Sequence, residues 1–321
     1  LYEEGHFLLT DPITDWIPEV AGKEVIVENE FGAHRIQAYR PIDFRHVLSH
    51  TAGLDPSREA LNGDEVALLE RMDNLEDTIR RRAPLPLAFH PGDDWQYGSS
   101  TDYVALLVER IAGEPVQDYL QRKIFDPLEM EDTFYAVPAE KRDRVASVYS
   151  PTGPGQSIEL SRTNEYSDQP FFGENYYGGV AGLFSTAPDY FRFSQMLLNG
   201  GELDGVRVLS PAMLDFCTRN HTGEMRNILF DMWGGTRNWL LYPASLGVGF
   251  FMRGEGNLPG LFSVMNSART FGGFGAGSTG FTVDPERELT LSFLSTGLME
   301  DSYHFERIGV IASLLLASMT E

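Results

Sequence analysis

The last third of this chain changes texture, and that change limits the fold more than any other feature of the sequence. Before Leu246 the apolar residues mostly recur with helical spacing; after it they fall in short runs rich in aromatic and β-branched residues. Val248–Met252, Gly280–Val283 and Leu289–Leu294 read as strands, and Asp284-Pro285-Glu286-Arg287 as the turn that joins the last two in a hairpin. A helix from about Tyr303 closes the chain. Its apolar run, Ile308–Met319, reads as a buried C-terminal helix, because a membrane span needs roughly 18 apolar residues.

The preceding body is helical. Ser100–Ala112 is its strongest stretch, with Val104, Leu107, Val108 and Ile111 on one face and Gly113 as the cap. Pro41–Leu48, Glu65–Arg82, Gln117–Ile124 and Asp189–Leu198 also read as helices, and Ser210-Pro211 opens another. Residues 137–180, rich in Pro, Gly, Ser and Tyr, form a long irregular excursion of the kind that often carries function. The texture thus divides the chain into a mainly helical domain, 1–235, and a sheet-forming part, 236–321, an α+β arrangement. Leu1–Gly5 reads as the last turn of a helix, so the chain is expected to be a fragment whose beginning lies elsewhere.

Composition excludes several functions. A net charge of −22, from 47 acidic against 25 basic residues, is wrong for tracking a phosphate backbone or an anionic membrane surface. No nucleic-acid or membrane partner is expected. Only three of the basic residues are lysines, which fits a high-GC or salt-tolerant bacterial source, or codon bias alone. The single Cys217 excludes disulfides within the chain and Cys-based zinc clusters. His46 and His50 could share a helix face, but no matching carboxylate spacing accompanies them, so neither a metal nor a cofactor is expected.

Five motifs stand in a telling order: the opening Leu1–Ile17; Leu48-Ser49-His50-Thr51-Ala52-Gly53-Leu54; Tyr97-Gly98-Ser99 directly before a helix; the glycine-rich Gly178–Thr186; and Phe271-Gly272-Gly273-Phe274-Gly275-Ala276-Gly277 on a strand. In this order they resemble the serine β-lactamase and penicillin-recognising superfamily. The likeness is to its class C-like branch, with family VIII carboxylesterases and related acyltransferases, and it covers essentially the whole chain. It implies a helical domain packed on an antiparallel sheet flanked by helices, with the site in the cleft between.

The chemistry implied is acyl transfer through a serine ester. A Ser hydroxyl needs a base, and in Ser-x-x-Lys sites the Lys lies one helical turn away. The resemblance makes Tyr97 the proton shuttle beside that Lys and Ser99 a hydrogen-bonding partner of substrate or Lys. It makes the Ala276 backbone N–H one oxyanion donor, and Gly273, Phe274 and Gly275 the strand along which substrate lies. Tyr177, with Phe171, Phe172 and Tyr176, would line an acyl or alcohol pocket, pack in the core or form a homodimer contact. Trp233-Gly234-Gly235 mimics an esterase motif, but no strand–turn–strand follows it.

The chain departs from the pattern twice. Val20, Leu120 and Pro138 stand three residues before Lys23, Lys123 and Lys141, so it holds no Ser-x-x-Lys. The nucleophile and base are expected upstream of Leu1, along with the family's first strands. Gly273 replaces the usual Lys, His or Trp and offers no side chain to an anionic substrate. That favours a serine hydrolase of neutral carboxylic esters or amides, with more room at the site. The alternatives are a β-lactamase or D,D-peptidase, and a catalytically inactive homologue that binds ligands. The compartment, cytoplasmic or periplasmic, stays open.

Overall fold

The computed structural model describes residues 1–30, 32–70, 74–151, 158–162, 176–225, 245–255, 262–275, 277–299 and 301–319. Contacts gather them into two units, which do not follow chain order. The first holds Leu1–Gln121 with the described residues of 169–182 and 225–227; the second holds the rest.

In the first unit, β1 (Glu24–Asn29) and β2 (Gly32–Gln37) form an antiparallel hairpin. Backbone bonds from Ile26 to Leu87 and from Leu87 to Glu24 tie β1 to a later segment. Helix α1 (Phe44–Leu48) starts at Asp43 rather than Pro41. The Asp43 side chain accepts from the His46 N–H, and the Asp43 N–H donates to His46 Nδ1, a reciprocal cap. The helix expected over Glu65–Arg82 is two, α2 (Gly63–Glu70) and α3 (Leu75–Arg82). Asn74 accepts the Asp77 N–H at 2.8 Å and so begins a new helix.

Helix α4 (Ser100–Ala112) has the expected bounds, closed by Gly113 in the left-handed region at φ 73°. Its buried arc is rotated from the expected face: Tyr103, Leu106 and Leu107 are buried, whereas Val104, Val108 and Ile111 are half-buried. The helix packs against α1, α3 and α5 (Val116–Leu120) together, so one apolar stripe does not describe it. Ile13, Ile17, Val25, Phe44, Val47 and Ile79 complete this core. At its edge the Lys23 ammonium is buried and donates to the carbonyls of Ala83, at 2.7 Å, and Leu85.

In the second unit, β3 (Val148–Pro151) and β4 (Ile158–Arg162) pair antiparallel inside the stretch expected to be irregular. Helix α6 (Ala187–Leu198) follows, then a two-residue pair of strands, β5 (Glu202–Leu203) and β6 (Val206–Arg207). Helix α7 (Pro211–Cys217) is capped by Ser210, as its Ser-Pro start predicts.

The main sheet comprises β7 (Ser245–Leu246), β8 (Phe251–Met252), β9 (Phe271–Gly275), β10 (Thr279–Asp284) and β11 (Leu289–Phe293). It is antiparallel throughout, in the order β11-β10-β9-β8-β7. The turn at Asp284–Arg287 joins β10 to β11 as predicted.

Alternation along β10 assigns the sheet's two faces. Phe281 faces α6, 5.4 Å between its ring centroid and that of Tyr190. Gly280 faces α8 (Asp301–Ser318), where a Cβ would run into Ile308. Helix α8 is not wholly buried, contrary to the reading of Ile308–Met319. Phe305, Ile308, Ala312 and Leu316 pack inward, while Val310 and Leu314 are 54% and 67% exposed. Among the described residues no helix is long and apolar enough to cross a membrane.

Candidate active site

The first unit holds Tyr97 and Ser99, and the Leu48–Leu54 motif is what holds them. After α1 the chain turns at His50, which adopts a left-handed φ of 56°, a conformation that His tolerates better than most residues. The turn brings the motif's backbone against the segment ahead of α4. The Gly53 carbonyl accepts from Ala88 at 2.8 Å, that of Thr51 from Gly92 at 2.7 Å, and that of His50 from Gln96 at 3.0 Å. Gly53 itself has φ 74°, and a Cβ there would lie 2.5 Å from the Phe89 carbonyl oxygen. Only glycine meets both demands.

Two side chains complete the grip. His50 Nδ1 accepts the Gly98 N–H at 3.2 Å, and its ring lies 4.6 Å from that of Tyr97 at 28° between planes. The Asp55 carboxylate accepts the Ser99 N–H at 3.0 Å, so closely beneath Gly98 that a Cβ there would collide with it. The backbone N–H groups on both sides of Tyr97 are thus fixed from one loop. Ser99 carries a backbone bond at the start of α4, and its side chain does not cap the helix. Burial drives the His50 ring down to about 4, so it is neutral, and pushes the Asp55 carboxyl up against the pull of Ser99.

One turn into α4, Asp102 organises the glycine-rich stretch. Its carboxylate is buried and accepts from the Tyr176 hydroxyl at 2.8 Å, the Gly179 N–H at 2.8 Å and the Val180 N–H at 3.1 Å. Burial raises its pKa, and these three donors oppose the rise. Side chains at Gly178 or Gly179 would run into Tyr176 and Asp102, or into the Thr101 carbonyl. Tyr177 is half-buried against the core of this unit.

The second unit holds Gly273, Phe274 and Gly275 on β9. The place of a side chain at 273 is taken: a Cβ there meets Phe281 Cε1 at 2.9 Å. Gly273 and Phe281 are cross-strand partners, and the ring covers the glycine. The extra room expected from Gly273 is therefore absent on this side of the strand. Phe274 points to the other face, edge-on to Phe305 at 4.7 Å. Ala276, Phe171, Phe172 and Trp233-Gly234-Gly235 lie outside the described residues.

Sequence reasoning missed His50, Asp55 and Asp102 as parts of this arrangement. His50 was visible in its motif, and Asp102 as an acidic residue in the first turn of the helix after Tyr97. Asp55 gave no signal. His46 is occupied in the α1 cap, and among the described residues no cluster of His, Cys, Asp and Glu could hold a metal ion.

A family model described as Beta-lactamase matches residues 1–316. The chain belongs to that family. An uncharacterised protein of Mycobacterium tuberculosis is 29% identical over 307 residues, 92% of this chain and 72% of that protein. A lovastatin esterase of Penicillium rubens is 29% identical over 231 residues, 69% of this chain and 55% of that enzyme. Among solved structures, unliganded simvastatin synthase (LovD) from Aspergillus terreus superposes with a TM-score of 0.77 at 19% identity. That alignment covers 99% of this chain and 80% of that one. The fold is β-lactamase-like, with helices and antiparallel sheets, as the motifs implied.

Proposed function

We propose that this chain is part of a serine hydrolase that cleaves neutral carboxylic esters through an acyl-enzyme. In this mechanism a serine hydroxyl attacks the ester carbonyl while a lysine takes its proton. The tetrahedral oxyanion is held by backbone N–H groups, one of them from Ala276. The C–O bond to the alcohol then breaks, and Tyr97 passes the proton to the leaving oxygen. Water adds to the acyl-enzyme, its proton returns by the same route, and acid and free serine result. No Ser-x-x-Lys occurs in these 321 residues, so we place the serine and lysine outside them. Ser99 hydrogen-bonds substrate or that lysine, and Gly273–Gly275 lie along the substrate.

The observation that carries this proposal is the presentation of Tyr97. Its neighbours Gln96, Gly98 and Ser99 are held by His50 and Asp55, as a proton shuttle requires. Membership of the family and the lovastatin esterase relative support the reaction class. The ring of Phe281 beside Gly273, where a cationic side chain would serve an anionic substrate, supports a neutral ester.

The test is intact-mass spectrometry of the full-length gene product with a fluorophosphonate probe, beside turnover of a p-nitrophenyl ester. One adduct is expected, and Tyr97→Phe should lower kcat by about 100-fold or more. Unchanged turnover in Tyr97→Phe would refute the role of Tyr97. Efficient nitrocefin hydrolysis would make a β-lactamase the better reading, and neither adduct nor turnover would leave a binding protein.

A further inference from the structure

We propose that His50 is a positioning residue for Tyr97, acting through its Nδ1 acceptor and its ring face rather than by exchanging protons with substrate. The proposal rests on Tyr97 being the proton shuttle.

Three observations converge on it. His50 reaches the Tyr97 segment at three points: its carbonyl accepts from Gln96 at 3.0 Å, its Nδ1 from Gly98 at 3.2 Å, and its ring stacks on the phenol at 4.6 Å. Tyr97 therefore has the backbone N–H groups of both neighbouring residues and one ring face fixed by a single residue. Second, His50 is 3% exposed, so it is shut away from solvent. Third, it sits at φ 56°, a left-handed conformation uncommon outside glycine that persists where its surroundings hold it.

The chemistry narrows the residue type. An acceptor at Nδ1 places the ring proton on Nε2, and a doubly protonated imidazole has no acceptor to offer Gly98. Among other side chains, asparagine best combines an oxygen near the Nδ1 position with tolerance of a left-handed backbone. Leucine fills the space but offers neither acceptor nor aromatic face. A rotation of Tyr97 that moves its hydroxyl by 1 Å suffices to cost about 100-fold in rate.

The experiment uses the full-length enzyme and a p-nitrophenyl ester, with His50→Leu, His50→Asn and Tyr97→Phe alone and in combination. We expect His50→Leu to lower kcat at least 30-fold with KM within twofold, and His50→Asn to recover kcat to within about fivefold of the parent. In the Tyr97→Phe background, His50→Leu should change kcat less than twofold, because the group that it positions is gone. Equal losses in His50→Leu and His50→Asn would overturn the Nδ1 role, as would an undiminished effect of His50→Leu on top of Tyr97→Phe. Should His50→Leu fail to fold, His50→Asn remains decisive: a folded Asn variant with kcat down 30-fold overturns the proposal. If Tyr97→Phe itself leaves kcat unchanged, the proposal falls with the shuttle on which it rests. If Tyr97→Phe is inactive but His50→Leu is fully active, the proposal falls and the hydrolase reading stands.

Discussion

Acid should destabilise this protein through His50, by an amount that its burial sets. The folded ring has its pKa lowered from 6.5 to about 4, and the cause is desolvation. Above pH 6.5 the ring is neutral in the folded and unfolded states, and pH has no leverage through it. Between 6.5 and about 4 the unfolded chain binds a proton that the folded chain refuses, so stability falls as pH falls. The full difference amounts to about 3 kcal/mol, of which about 2 kcal/mol is lost by pH 5. That is a large share of the roughly 5–15 kcal/mol that holds an ordinary domain folded.

The raised pKa values of Asp55 and Asp102 act in the opposite sense, since each contributes stability at low pH that is lost as pH rises through its folded value. Comparison with His50→Asn cancels them and the other six histidines. The assay is urea unfolding followed by tryptophan fluorescence at pH 7.5 and pH 5. The stability of the parent relative to His50→Asn should fall by about 2 kcal/mol between the two. A difference that does not move with pH would refute the reasoning, and would mean that the buried ring takes up its proton as readily as an exposed one.

Two further perturbations test the packing around Asp102 and around Gly273. Asp102→Ala strands the Tyr176 hydroxyl and the Gly179 and Val180 N–H groups, and should cost about 3 kcal/mol or more in urea unfolding; Asp102→Asn, which keeps an acceptor, should cost less than half of that. Gly273→Val should cost about 1–3 kcal/mol by forcing the Phe281 ring aside, and the double variant with Phe281→Leu should be less destabilised than the sum of the two singles. Additive effects in that cycle would show that the ring does not occupy the place of a side chain at 273.

Much of the architecture was legible because it rests on local rules. Ser100–Ala112 is bounded as its periodicity and Gly113 predict, Ser210 caps α7, and the β10–β11 hairpin turns at Asp284–Arg287. Each of these depends on residues within a turn or two of one another. The misreadings share a cause as well. Pro41 looked like a helix start, but the cap is made by Asp43 and His46 reaching for each other's backbone. Periodicity gives α4 a single apolar stripe, yet three neighbouring helices pack on it and bury residues outside that stripe. In α8 the apolar run continues onto the exposed face, and apolarity alone did not reveal which side the sheet would cover.

By itself, the sequence determined several of the helices, the β10–β11 hairpin, the family-like succession of motifs and the candidacy of Tyr97, because these are properties of spacing and residue type; the strand pairs β1–β2, β3–β4 and β5–β6 ahead of the main sheet were not legible in it. It also argues against tracking a phosphate backbone by bulk electrostatics, because the charge of −22 is a sum that folding does not alter. Tertiary structure alone decided why the Leu48–Leu54 motif is there. His50 and Asp55 lie more than 40 positions before Gly98 and Ser99, and only the closing of that loop turns a histidine ring and a carboxylate into the acceptors that hold the Tyr97 backbone. The same holds for Gly273, whose missing side chain reads as open space until the neighbouring strand lays the Phe281 ring across it.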